Sequence, residues 1–493
     1  MSKLQVNEIV DKEGTGSPTF TNGVVVSGVG TFSSQVSIAG TLTYEDVTNI
    51  DAVGVVTARV GMKVLAGGIN AVGVVTATSF SGNGSALTGV AATDNIDTNT
   101  IRVSGISTFT EVVNASSDVR VTGNLNAGIT TTSSIINGTA LSHRNIIING
   151  AMEVAQRGTS DGSVTSSGYY ACDRWRVGAG GLDSALTVAR SSLSSSDTPY
   201  SSGFRYATKI TNGDQSGGLG ATDFISFAQR VEGQNINSCG WDFTSTSSNL
   251  TVSFWIKSSV AQTFYSRFRV TEASANKEYV FAVAATTSWQ KITQTIPGAS
   301  GLNPKNDEDM GFFWDIILAY GTDYTGSMTL DQWNTVNTSA YTPDMTTTWY
   351  TTDNATFEIT GVQLEVGPVA TPFEFRSIGD ELARCQRYYY RHATGNTKGI
   401  SENATMYNSS SVFLSIPLPT EMRDQPTLEI TNSTSHFLKY ENNGGTNFDT
   451  LGRDGVTTAR LLCINGSVSG TAGNACMIRT NSASAYVAAL AEL

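Results

Sequence analysis

The sequence predicts an all-β protein in three unlike parts. Glycine fills 49 of 493 positions and only 15% of residues are charged, the profile of turn-rich strands. Short runs alternate β-branched or aromatic residues with polar ones between clusters of Gly, Ser, Asn and Pro. Composition then breaks near residue 145. All seven tryptophans lie between Trp175 and Trp349, whereas residues 1–144 hold a single tyrosine, Tyr44, four phenylalanines and no cysteine. At about 100 to 200 residues per domain, the length allows two to four domains.

The first part divides into an end segment, 1–22, and a repeat segment, 23–144. Ala52–Ala58 recurs unchanged as Ala71–Ala77, and Val26–Phe32 is echoed by Val103–Phe109. Each unit reads as a short strand broken by glycine turns. A unit this small cannot bury its apolar face alone, so its strands need neighbouring units or other copies of the chain. Pairing between copies closes exposed strand edges and supplies a shared axial core of Val, Ile and Ala, which predicts a thin, elongated β-repeat shaft. A disordered linker is the alternative, and the wealth of Val and Ile argues against it.

Residues 145–375 read as a β-sandwich. Its strand candidates are 145–149, 250–257, 264–271, 279–284, 290–296, 311–319 and 356–365, and the alternation is clear from Thr251 to Lys257. Between Gly311 and Tyr350 aromatic and planar polar residues crowd together, among them Phe312, Phe313, Trp314, Tyr320, Asp323 and Tyr324. Sugar binding needs flat rings to stack on pyranose faces and polar groups for the hydroxyls. Trp333, Tyr341, Trp349 and Tyr350, with Asp331 and Asn334, lie in loop-like Thr/Asn/Asp sequence and are the candidate ligand-binding residues here. Core packing competes with that reading, and Trp175, Trp255 and Trp289 are assigned to the core.

The third part, 376–493, opens with the best short helix of the chain, 379–391. Asp380 and Glu381 stand at its start, and Arg384, Arg387 and Arg391 toward its end, which suits the helix dipole. Alternation resumes over 411–417, 427–430 and 459–464 and predicts a small terminal β domain. His436, Tyr440 and Phe448 flank a Gly444-Gly445 turn and are candidates for a recognition loop, although an ordinary hairpin explains them equally.

The net charge is −12, and residues 145–375 carry most of it, with 13 basic against 22 acidic side chains. Such a surface suits solubility and is poor for gripping nucleic acid. Five cysteines are scattered without a C-x-x-C pair, and the three histidines are far apart, so no disulfide framework, metal site, cofactor or catalytic residue is predicted. The acidic run Asn306–Asp309 is able to hold calcium but reads more simply as a solvated loop. No apolar run approaches the roughly 20 residues that span a bilayer, and residues 1–10 lack a signal-peptide pattern, so neither membrane insertion nor Sec export is expected.

Several stretches resemble bacteriophage tail-fibre or receptor-binding proteins, most closely those of phages infecting marine cyanobacteria. Met1–Val10 followed by Ser17–Phe20 is similar to the virion-proximal end of such fibres, and Val47–Arg59 to their shaft repeat. Ser81–Val90 resembles a glycine-rich element of phage tail proteins. More specific are Asn145–Gly158 with Asp173-Arg174-Trp175, and Thr360–Gly367 with Thr371–Glu374, which bracket a domain resembling jelly-roll carbohydrate-binding modules.

This resemblance implies a homotrimeric fibre, assembled in the host cytoplasm and located in the virion. Its N-terminus would join a phage tail or baseplate protein, and later domains would adhere without catalysis to a host surface glycan, lipopolysaccharide or capsule, or to an outer-membrane protein. Two alternatives come from other classes. A tailspike depolymerase needs two carboxylates about 5 to 9.5 Å apart across a sugar cleft, and no motif singles out such a pair. A purely structural tail component would need no ligand at all.

Overall fold

A computed structural model of the chain describes residues 6, 8–14, 16–40, 43, 51–79, 81, 143–272, 276–431 and 433–493. The repeat echo Val103–Phe109, most of Ser81–Val90, Val47–Ile50 and the start of the end segment lie outside the described residues. The chain divides into two units, Met1–Arg120 and Val121–Leu493.

In the first unit the described residues form neither strand nor helix, and apart from Asp11 they are exposed. Val53, Val60 and Val72 are as open to solvent as in an extended peptide, at 103%, 104% and 101%. Within one chain, then, the described repeats leave exposed the apolar residues that alternation would place on a strand face.

In the second unit, thirteen strands among the described residues precede the helix. They are β1 (Ser160–Val164), β2 (Gly168–Tyr169), β3 (Arg176–Gly180), β4 (Leu186–Ser192), β5 (Tyr206–Thr211), β6 (Phe224–Glu232), β7 (Asn249–Ser258), β8 (Gln262–Val270), β9 (Lys277–Ala285), β10 (Gln290–Pro297), β11 (Met310–Tyr320), β12 (Trp333–Thr335) and β13 (Thr356–Val366). They form two antiparallel sheets, ordered β1-β4-β5-β13-β7-β10 and β12-β9-β8-β11-β6-β3-β2. The sheets pack face to face as a β-sandwich, because each strand offers one apolar face. From β7 come Leu250, Val252, Phe254 and Ile256, and from β8 and β11 come Phe264, Phe268, Phe312, Trp314 and Ile316, all in one core. The intervening residues of each strand therefore point outward.

The C-terminal part adds β14 (Tyr389–Thr394), β15 (Gly399–Met406), β16 (Val412–Pro417), β17 (Thr427–Ile430), β18 (Phe437–Glu441), β19 (Gly444–Phe448), β20 (Gly452–Thr457), β21 (Arg460–Asn465), β22 (Ala475–Thr480) and β23 (Tyr486–Leu490). These form a three-stranded sheet, β14-β23-β17, and a seven-stranded one, β19-β18-β22-β15-β16-β21-β20. They enclose a separate core that includes Met406, Leu414, Phe437, Cys463 and Ile478.

Two sequence expectations need correction. Residues 145–149 form no strand, because the Asn145 side chain takes over the pairing. Its Oδ1 accepts from the Ile147 and Leu364 N–H groups at 3.0 Å each, and its Nδ2 donates to the Val362 carbonyl at 3.0 Å. Asn149 then turns the chain with a φ of 58°. The helix is also shorter than 379–391. It spans Ile378–Gln386, capped by Ser377, whose hydroxyl accepts from the Asp380 N–H at 3.2 Å. It stops because Tyr388 and Tyr389 are drawn into buried positions and the backbone leaves to pair with β23.

Those buried tyrosines belong to a junction between the sandwich and the C-terminal part. Glu232, buried at the end of β6, accepts from Arg387 Nε at 2.8 Å and Nη2 at 2.7 Å, and from the Tyr388 hydroxyl. Arg174 pairs with Glu492 and lies 3.4 Å over the Tyr388 ring, while Arg157 pairs with Glu492 at 3.1 Å and lies 3.5 Å over Tyr389. Asn149 ties this junction to the core. It donates to the Val154 and Asp173 carbonyls at 2.9 Å each, and its own carbonyl accepts from the Trp175 indole at 2.9 Å.

Candidate functional site

A cleft lined by aromatic and charged side chains lies on the outer face of the second sheet. Phe264, Phe268 and Val270 of β8 point into the core, so Arg267 and Arg269 between them point outward. After β11, residues 321–347 run back over that face. The Asp331 N–H donates to the Val280 carbonyl at 2.8 Å, and the Tyr341 N–H to the Tyr324 carbonyl at 2.8 Å. This return covers part of the sheet and leaves a cleft of about 230 Å³ lined by Phe224, Arg267, Arg269, Tyr320, Tyr324 and Tyr341. Ligand pockets commonly run from about 300 to 1,000 Å³, so the space suits one sugar ring rather than a long chain.

Three tyrosines shape the cleft. Tyr324 and Tyr341 stack at 6.2 Å with ring planes 16° apart, and Tyr320 lies 5.5 Å and 6.1 Å from them. Phe224 meets Tyr324 edge-on at 6.0 Å. Both arginines lie 4.8 Å from the centre of the Tyr341 ring.

The cleft's charge is balanced. Arg267 makes a two-pronged pair with Asp315, Nε to Oδ1 at 3.1 Å and Nη2 to Oδ2 at 2.6 Å, and also donates to the Tyr320 hydroxyl at 3.1 Å. Arg269 donates to Glu278 Oε2 at 3.0 Å. Burial opposes the Arg267 charge, but Asp315 and Tyr320 outweigh it and hold the guanidinium above its ordinary pKa. Burial pushes the Tyr320 hydroxyl up to about 12 and raises the Glu278 carboxyl in spite of its two arginines. Arg267 Nη1, Arg269 Nε and Glu278 Oε1 are buried without a hydrogen-bond partner. Flat rings beside polar side chains are what a sugar ring and its hydroxyls require.

Of the nine candidates from the sequence, the structure brings only Tyr341 to this cleft. Trp333 is half-buried on the edge strand β12, where its indole donates to the Pro297 carbonyl at 2.7 Å and its ring packs 5.7 Å from Tyr279. Asp331 and Asn334 belong to the same return. Asp331 has a φ of 60°, and the Asn334 amide donates to the Thr329 and Gln332 carbonyls at 2.9 and 3.0 Å. The exposed reading of Trp349 and Tyr350 is overturned: both are buried, at 0% and 1%. They sit on one helical turn, Thr348–Thr351, which carries both rings into the core while its threonines face solvent. There the Trp349 indole donates to the Thr356 carbonyl at 3.1 Å and the Tyr350 hydroxyl to Asp223 at 3.1 Å.

Phe448 and His436 are likewise buried, which removes them from a recognition surface. Phe448 stacks on Phe437 at 5.4 Å across the β18–β19 hairpin, because alternation turns that face of the hairpin into the second core. Tyr440 faces the other way, with Arg479 4.2 Å over its ring and donating to its hydroxyl. The acidic run 306–309 gathers no metal site, and among the described residues no group of three or more His, Cys, Asp or Glu does so. Two tryptophans assigned to the core, Trp255 and Trp289, are partly buried and pack against a small separate cluster around Phe204 and Ala207 instead of the main core.

Sequence reasoning missed Phe224, Arg267 and Arg269. The Arg-Phe-Arg alternation in β8 was a usable signal, since two charges flanking a core phenylalanine must share the outward face.

No protein-family model and no curated protein matches the chain. Among solved structures it is similar to the enzymatically active domain of bacteriophage CBA120 tailspike protein 4, at 11% identity and a TM-score of 0.24, over 45% of this chain and 21% of that one. It is similar also to the family 11 carbohydrate-binding module of a Clostridium thermocellum cellulase, at 10% identity, a TM-score of 0.22 and 97% of that chain. The N-terminal cellulose-binding domain of a Cellulomonas fimi glucanase matches at 10% identity and a TM-score of 0.21, over 44% of this chain and 99% of that one.

Proposed function

We propose that this protein is an adhesion protein of a phage tail that holds a host-surface glycan, without cleaving it, in the Tyr320–Tyr324–Tyr341 cleft. The observation that carries the binding role is the cleft itself, in which stacked tyrosine rings adjoin two arginine side chains. Non-catalytic binding is favoured because Asp315 and Glu278, the carboxylates beside the rings, each serve an arginine. The tail role rests on the sequence resemblance.

The solvent-exposed valines of the repeats support a homotrimer. Three chains wound together would cover surface that a single chain leaves bare, and would set three weak sites in one assembly that binds a repeating polysaccharide by avidity. The test is co-sedimentation of the full-length protein with purified lipopolysaccharide and capsular polysaccharide free of uronate, with chromatography of the supernatant. Retention without new oligosaccharides, lost in Tyr341→Ala, is the expected result. Released fragments would establish a depolymerase, and retention unchanged in Tyr341→Ala would remove the cleft from the reading.

A further inference from the structure

We propose a second saccharide site on the opposite face of the sandwich, built on Trp255 and Lys291 and selective for a ring that carries a carboxylate, a uronate. It does not depend on the tyrosine cleft, which lies on the other sheet.

The first observation is a count of indole N–H groups. Trp175, Trp241, Trp289, Trp314, Trp333 and Trp349 all donate within the protein, at 2.7 to 3.2 Å. Trp255 alone has no partner among the described residues. An indole that is partly withdrawn from water normally finds an acceptor, so an unpaired one in a cleft invites an acceptor from a ligand.

Its neighbour repeats the pattern. Lys291 on β10 stands directly opposite Trp255 on β7, exposed and without a carboxylate partner. Lys257, the next outward residue of β7, is instead satisfied by Glu358 at 3.1 Å and Asp197 at 3.8 Å. Glu358 and Asp197 are thus engaged by Lys257, and the ammonium directly beside the free indole has no carboxylate partner among the described residues.

The third observation is the space. A cleft of about 400 Å³ lies over Ser253 and Trp255, with Phe373 and Phe375 along its wall. Glycine permits this wall. Gly361 has a φ of +64° and a Cβ there would meet the Phe204 ring at 2.6 Å, while a Cβ on Gly203 would meet Phe375 at 2.8 Å. The walls supply flat apolar faces for the C–H side of a sugar ring, and the free polar groups named here are both donors, one of them charged. A ligand complementary to two donors and a positive charge is rich in acceptors and negative, and a carboxylate on a hydroxylated ring meets each requirement through a charge-assisted bond. The tyrosine cleft differs in having a carboxylate for each arginine, so the two sites would sort acidic from neutral sugars.

The test is titration calorimetry on the full-length protein with tetragalacturonate as the acidic probe and galactotetraose as its neutral counterpart. Tetragalacturonate should bind more tightly, and added salt should weaken it. Lys291→Gln, at an exposed side chain with no structural partner, should weaken it at least tenfold. Trp255→Phe, which keeps a ring and removes the N–H, should weaken it severalfold, and Tyr341→Ala should leave it unchanged. No tetragalacturonate binding at millimolar concentration, binding indifferent to Lys291→Gln, or binding lost in Tyr341→Ala would each overturn the proposal. So would a fall in sedimenting mass in Lys291→Gln or Trp255→Phe, which would mean that a second copy of the chain covers the cleft.

Discussion

Tyr341 holds its place through both faces and edges, stacked on Tyr324 and beneath two guanidinium groups. Removing its ring should abolish retention on polysaccharide free of uronate while leaving the thermal transition nearly unchanged, because the residue is only partly buried and outside the core cluster. Tyr350 is the contrasting case. Its hydroxyl serves Asp223 inside the protein, so Tyr350→Phe should leave binding intact and cost about 1 kcal/mol in urea unfolding, the typical worth of one buried hydrogen bond. Asp223 keeps the Gly220 N–H at 2.6 Å, which limits the loss. Two tyrosines nine residues apart in similar polar sequence thus have opposite roles, decided by which side of the backbone faces the core.

Among elements, the junction between β6, the segment Tyr388–Tyr389 and the last residues carries a buried ionic network. Burial disfavours the Glu232 charge, yet the hydrogen bonds from Arg387, Tyr388 and Gln234 outweigh it and set its pKa below the ordinary value of 4.5. Glu374 is also lowered: burial is again outweighed, here by the Asn145 N–H and Arg376. A carboxylate lowered in the folded state contributes stability that is present above its unfolded pKa and is lost as pH falls through the folded one. Acidification below about pH 4.5 should therefore loosen this junction progressively, read as rising protease sensitivity between residues 376 and 390. Glu232→Gln should reproduce part of that loss at neutral pH, lowering stability by about 2 kcal/mol, since hydrogen bonds to charged groups are worth about 1.5 to 3. Asn149 and Asp173-Arg174-Trp175 work here, tying the junction to the sandwich core.

At the scale of the whole chain, the two units differ in what they bury. Residues 143–493 hold three core clusters of their own, whereas the described repeats leave valine after valine open. Sedimentation of the full-length protein should give three times the chain mass of 52.1 kDa. Deleting residues 1–142 should yield a folded monomer that binds single sugars as before and loses its retention on polysaccharide, because avidity goes with the assembly. A full-length chain sedimenting at 52.1 kDa would remove the shared-core argument.

Local periodicity was enough to read the all-β class and most of the long strands. β7, β8, β10, β11 and β13 show alternation because one face of each meets the core, and that contact leaves its mark residue by residue. The shortage of bulky side chains before residue 145 was equally plain, being a matter of composition. The sites were not legible in this way. Tyr320, Tyr341, Arg267 and Phe224 stand on separate strands and a returning loop, and Trp255 looks in sequence like any other core tryptophan. Whether such a ring is wall, floor or filler depends on which strands become neighbours, and on whether an acceptor happens to lie against its N–H. Those are properties of long-range pairing, to which the spacing of residues along one strand is blind.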